Sequence, residues 1–243
     1  MATYDETTLR DRSAIKRWLQ RRRLHDALAC LDERMSPRVI IDFCGGCGEL
    51  SKRLAARFPE ASIYCYEPSS WYLEEARENF AGMERITLVP SVDLLPKGTC
   101  DLLYCNEVFE HFPPAETQQA IGQIVELLSP DGAAVIGVPI EIFIPALLKG
   151  AFRMTRRYGA YDARWSTVLR ASLGLPATDR PVVDMGPGPF HIPHLGFDHR
   201  SFERRLERDF AIVRRRTSPI SWLGTFLNNE IYYTLRKAGA ARD

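Results

Sequence analysis

The chain has 243 residues, a formal net charge of +1, 45% hydrophobic residues and 26% charged ones. That is apolar material for an ordinary core in one large α/β domain, or in one domain with an insertion. It is too little net charge for a general polyanion binder. Six cysteines behind a polar, mixed-charge N-terminus read as reduced thiols in a cytoplasmic protein, with no leading membrane span.

Residues 8–34 have helical periodicity, with Ile15, Trp18, Leu19, Leu24, Leu28 and Leu31 as the apolar stripe. Arg17, Arg21, Arg22 and Arg23 crowd one turn, and the simplest account is a solvated basic face. The sharper one is attraction to phosphate on a lipid head group or on nucleic acid. Ser36-Pro37 ends the segment, so residues 1–35 are expected to cap a domain over residues 36–243.

Val39 to Phe43 is an apolar, β-branched run, as expected of a strand buried on both faces. It carries Asp42 and runs into Cys44-Gly45-Gly46-Cys47-Gly48, after which Leu50, Leu54 and Phe58 recur at helical spacing. Glycines there let a ligand lie against bare backbone, and the helix start offers free N–H groups to an anion. Ile63 to Tyr66 reads as a second buried strand ending in Glu67, where an acid can hold two ribose hydroxyls. Cys44-x-x-Cys47 lacks a second pair at metal spacing, so small residues lining a turn explain it better than redox or zinc chemistry.

Asp42-x-Cys44-x-Gly46-x-Gly48 resembles the D-x-G-x-G-x-G motif of class I S-adenosylmethionine-dependent methyltransferases, with Cys44 in place of the first glycine. The resemblance implies a Rossmann-like α/β fold. Its seven-stranded, mostly parallel sheet has a reversed last strand and helices on both faces. It also implies S-adenosylmethionine as cofactor, held by Asp42, Cys44, Gly45, Gly46, Gly48, Glu67 and Pro68. A third strand, Ile86 to Val89, leads to Ser91-Val92-Asp93, where the family contacts adenine. Alignment on Leu95-Pro96 leaves that contact between Ser91 and Asp93.

The fourth strand, Asp101 to Cys105, enters Asn106-Glu107-Val108-Phe109-Glu110-His111, at the end of a parallel strand where ligands bind. Asn106 and Glu107 are expected beside the cofactor. Glu107-x-x-Glu110-His111 resembles the E-x-x-E-H of ubiquinone-biosynthesis O-methyltransferases and small-RNA 2′-O-methyltransferases, which implies a divalent metal completed by a later histidine. The same E-H shapes a pocket wall in relatives without metal, and no metal ligand is assigned. His111 and His194 are the candidate bases, with Glu110 beside them, because imidazole titrates near neutral pH.

A helix over 115–128, the turn Ser129-Pro130-Asp131-Gly132 and a strand Ala133 to Val138 follow. Residues 140–195 break the alternation. Ile140 to Phe152 is apolar, too short and interrupted to span a bilayer, and Arg153, Arg156 and Arg157 border it. This segment is either a lid on the site or an interfacial segment. Five prolines between Pro176 and Pro193 imply irregular loop, and three histidines follow in His191, His194 and His199. A helix from Ser201 to Arg208 precedes the strands Phe210–Val213 and Ile231–Leu235, with Arg214, Arg215 and Arg216 expected as a solvated strand end.

The expected activity is methyl transfer, through oxygen, to a lipid-linked, glycan or other small-molecule acceptor. The expected location is the cytoplasm, with peripheral contact at an anionic inner membrane face. A nucleic-acid methyltransferase and a cofactor-binding module without catalysis are the alternatives.

Overall fold

The computed structural model describes residues 14–31, 35–176, 179–184 and 188–239. The N-terminal helix α1 is Ala14–Leu28; the other residues of the expected 8–34 helix lie partly outside the described set. Alternation then proceeds through β1 (Val39–Phe43), α2 (Glu49–Arg57), β2 (Ser62–Tyr66), α3 (Ser70–Asn79), β3 (Ile86–Val89), β4 (Cys100–Asn106), α4 (Pro114–Leu127) and β5 (Leu128–Pro139). The insertion supplies α5 (Phe143–Arg157), α6 (Trp165–Ser172) and a two-residue ladder of β6 (Val183–Asp184) with β7 (Pro189–Phe190). The chain closes with α7 (His199–Asp209), β8 (Phe210–Ser218), the short helix α8 (Gly224–Leu227) and β9 (Glu230–Lys237).

Seven strands form one sheet in the order β3-β2-β1-β4-β5-β9-β8. β1 to β5 are parallel, and β9 is inserted antiparallel between β5 and β8. The central strands are buried on both faces, as their continuous apolar runs require. Ile41, Leu103, Val138 and Tyr233 pack on one side, and Ile40, Ile63, Leu102 and Tyr104 on the other. The parallel strands therefore end together along one edge, which carries the groups described below.

Three expectations are corrected. The Ser129–Gly132 turn is absorbed into β5 as a bulge, because both ends of the strand find ladder partners on β4: Cys100 opposite Leu128, then Leu102 opposite Ala133. The arginines of α1 are not all a solvated face. Arg22 pairs with buried Asp26 at 2.8 Å, and Arg23 reaches Glu107 and Glu230 at the strand ends. The arginines of β8 are likewise engaged, Arg216 with Asp26 and Arg215 with Glu203. Among the described residues no helix is long and apolar enough to cross a membrane.

Candidate active site

Two clusters lie along the carboxyl edge of the sheet. The first is the turn after β1. Cys44, Gly46 and Gly48 all have positive φ, at 58°, 58° and 82°. The glycine that the motif lacks is thus replaced by a cysteine in the left-handed conformation, which costs an L-residue about 1–2 kcal/mol. Gly48 cannot be replaced in the same way, since a Cβ there would lie 2.0 Å from the Phe80 ring. Gly45 donates its N–H to the Tyr66 carbonyl at 3.0 Å, and a Cβ on it would meet Cys65 Sγ at 2.7 Å.

Glu67, buried at the tip of β2, binds this turn to the next one. One carboxylate oxygen accepts from Gly46 N–H at 2.9 Å and the other from Ser69 N–H at 2.8 Å. Burial still outweighs these bonds and raises its pKa. Asp42 is also buried and accepts from Ser51 Oγ at 2.7 Å; burial pushes its pKa up to about 6. Asn79 braces the turn by donating to the Cys47 carbonyl at 2.9 Å. Sequence reasoning named neither Ser51 nor Asn79, since a helical serine and a helix-end asparagine carry no motif. Ser91 is half-buried after β3, Asp93 is exposed, and Val92 packs on the core.

The second cluster follows β4. Glu107 has φ 57°, and its carboxylate is drawn towards α1, with Oε2 3.1 Å from Arg23. Arg23 also pairs with Glu230, a buried acid at the start of β9 whose pKa is raised well above the ordinary range by burial. Nothing in the spacing of Arg23 distinguishes it from Arg21 or Arg22. Neither polar atom of the Asn106 side chain has a hydrogen-bond partner among the described residues, nor does Oε1 of Glu107.

Glu110 and His111 sit in a 3₁₀ turn, Phe109–His111, beneath the insertion. Both carboxyl oxygens of Glu110 are buried without a hydrogen bond, and burial pushes its pKa up to about 8. His111 Nδ1 lies 2.7 Å from the His191 carbonyl, while His191 N–H donates to the His111 carbonyl at 2.7 Å. A carbonyl only accepts, so Nδ1 carries the proton, and the unprotonated Nε2 faces Glu110 Oε1 at 3.8 Å. The ring stacks on Phe190 at 4.3 Å and meets the edge of His194 at 4.7 Å. Burial lowers the pKa of His111, the His191 carbonyl offsetting part of the shift, and depresses that of His194 to about 3. Arg180 fastens the insertion here, donating to the carbonyls of Glu110 and Pro193 at 2.6 Å each.

Of the four ligands that E-x-x-E-H implies, Glu107 is turned away to Arg23. One ligand atom from each of Glu110, His111 and His194 lies within 4.8 Å of the others. One carboxylate and two imidazoles are a donor set that a divalent ion accepts, and such an ion would acidify an acceptor hydroxyl. The Cys44 and Cys47 thiols are free, and burial raises the pKa of both.

Residues 40–132 match the family model described as "Methyltransferase domain". The trans-aconitate 2-methyltransferase of Methylobacterium radiotolerans is 29% identical over 110 residues, which are 45% of this chain and 41% of that protein. The malonyl-[acyl-carrier protein] O-methyltransferase of Geobacter sulfurreducens is 31% identical over 103 residues, 41% of this chain and 38% of that protein. The chain thus spans about two fifths of the length of these curated relatives. A fold likeness at 15% identity links it to Burkholderia thailandensis 1,6-didemethyltoxoflavin-N1-methyltransferase, solved with 1,6-didemethyltoxoflavin and S-adenosylhomocysteine. That likeness has a TM-score of 0.56 and covers 88% of this chain and 78% of that one.

Domain match and strand order together define an α/β protein of the Rossmann-like type, with one reversed strand in a seven-stranded sheet. Residues 40–132 thus carry a methyltransferase domain match, and the fold is that of solved S-adenosylmethionine-dependent methyltransferases.

Two stability measurements check the turn. Cys44→Gly relieves the left-handed strain at the cost of some packing, and should raise Tm by about 2 °C in thermal denaturation. Asp42 has a folded pKa above its ordinary value, so its contribution is complete in strong acid and is lost as pH rises through about 6. Asp42→Asn, neutral throughout, should therefore gain on the wild type by about 2 kcal/mol between pH 4.5 and 7.5, read by urea denaturation.

Proposed function

We propose that the chain transfers the methyl group of S-adenosylmethionine to an oxygen of a small acceptor, a glycan or lipid-linked hydroxyl. The observation that carries this reading is the juxtaposition, at the ends of neighbouring strands β1 and β4, of a glycine turn held by Glu67 with an imidazole whose unprotonated Nε2 faces the buried Glu110 carboxyl at 3.8 Å.

In this reading Glu67 accepts from the ribose hydroxyls. Asp42 and the backbone of residues 44–48 line the methionine end, and Pro68 flanks the ribose. Ser91, Val92 and Asp93 border the adenine, with Asn106 and Glu107 beside the sulfonium arm. Methyl transfer needs the acceptor oxygen, methyl carbon and sulfur in line at close range, and little covalent help. His111 takes the proton of the attacking hydroxyl at Nε2. His194 is the weaker base, since burial drives its pKa to about 3, and it serves by walling the imidazole. Glu110, buried without a partner, supplies the hydrogen-bonding group that orients the acceptor.

The O-methyltransferase named among the relatives supports transfer to oxygen. The nucleic-acid alternative loses much of its motivation, because Arg22 and Arg23 are spent on Asp26, Glu107 and Glu230. A module without catalysis would have no reason to bury two unpartnered carboxyl oxygens beside two imidazoles.

Calorimetric titration with S-adenosylhomocysteine tests the cofactor half. Glu67→Ala should weaken binding about 10- to 100-fold, with Glu67→Gln between it and the wild type. Equal affinity in all three would remove Glu67 from the site. The acceptor half is tested by labelled-methyl transfer to a panel of sugars, phenols and amines. Hydroxyl acceptors should be methylated and His111→Ala should lose about 10²- to 10⁴-fold in rate, with full turnover in EDTA. Loss of turnover in EDTA, restored by a divalent cation, would assign Glu110, His111 and His194 to a metal instead.

A further inference from the structure

Helix α5 is arranged inside out for a helix in water. Its row Lys149 and Arg153 points into the protein, where both cations hold the buried carboxylate of Glu141 at 3.0 and 2.9 Å. Their pull, against the effect of burial, lowers the Glu141 pKa to about 2. Ala146 and Gly150 face α6, where a Cβ on Gly150 would meet Val168 at 2.5 Å. The remaining row, one residue behind the cations, is Ile144, Leu148 and Phe152. Leu148 is 62% exposed and Phe152 58%, while the Lys149 and Arg153 side chains are 19% and 17% exposed.

This apolar row does not stop at the helix. Phe143, at the start of α5, stacks on Phe226 of α8 at 5.9 Å, and the 220–227 connection carries Trp222 at 82% exposure. Of the six basic residues in 143–175, Lys149 and Arg153 are engaged with Glu141 and Arg157 with Asp162, the single acid of that span, while Arg156, Arg164 and Arg170 are exposed. Arg156 lies over the Phe152 ring at 5.3 Å, so the cation borders the apolar row directly. Large apolar patches on a protein surface mark a contact, and the basic border says with what.

We infer that the outer row of α5, with the 220–227 tip, docks on an anionic lipid surface. The apolar side chains enter the head-group boundary and Arg156 remains at the phosphates, the usual depth of an interfacial helix. A second copy of the chain is the poorer occupant, since a two-fold axis would set one basic border against the other. The docking is independent of the methyl-transfer reading.

Sedimentation of the full chain with phosphatidylcholine vesicles, with and without phosphatidylglycerol, tests this at low salt. The wild type should pellet with the anionic vesicles and stay in solution with the neutral ones. Leu148→Ser combined with Phe152→Ser should cut the bound fraction about ten-fold or more, and Arg156→Glu about five-fold. Both variants alter only exposed side chains and should keep the wild-type melting temperature, which separates lost docking from lost folding. A wild type that stays in the supernatant with both vesicles overturns the inference. So does a double variant that pellets equally, or a dimer in sedimentation velocity that the double variant loses.

Discussion

The candidate site depends first on one carboxylate. Glu67 accepts from Gly46 on the β1 turn and from Ser69 on the β2 turn, so a single buried acid ties together two loops whose strands are already paired through Phe43 and Tyr66. Each bond to a charged group contributes about 1.5–3 kcal/mol and offsets part of what burial costs the acid. The left-handed residues of the turn, Cys44 among them, are tolerated because the backbone must follow this anchor and leave room for a ligand.

A second constraint acts on the far side of β4. Arg23 of α1 crosses to the strand ends and lies between Glu107 and Glu230, joining the N-terminal helix to β4 and β9. Removing it would leave Glu107 and the buried Glu230 without this shared cation. The pairing also takes Glu107 out of the group formed by Glu110, His111 and His194. The same E-x-x-E-H spacing therefore has a different meaning here from that of a four-ligand set.

The insertion repeats this pattern of charges turned inward. Lys149 and Arg153 meet Glu141, and Arg180 reaches across to the Glu110 and Pro193 carbonyls. Polar ties of this kind hold the insertion in place beside only a small apolar cluster of its own. They also leave the apolar residues of α5 on the outside.

The alternating strands and helices from Val39 to Pro139 were legible in the sequence, because buried parallel strands need continuous apolar runs and the turn after β1 needs glycines. Glu67 at the tip of β2 was legible for the same reason, since its place follows from the strand before it. The partners of the arginines were not legible. Arg21, Arg22 and Arg23 are equivalent in composition, and only the packing of α1 against β8 and β9 decides that Arg23 meets Glu107 and Glu230. Nor could spacing reveal that His111 is held by the His191 carbonyl, eighty residues away. Local pattern sets which residues become strand, turn and helix, because φ/ψ preference and burial period act over a few residues. Which charges meet is decided by contacts distant in sequence, and these exist only once the sheet has assembled.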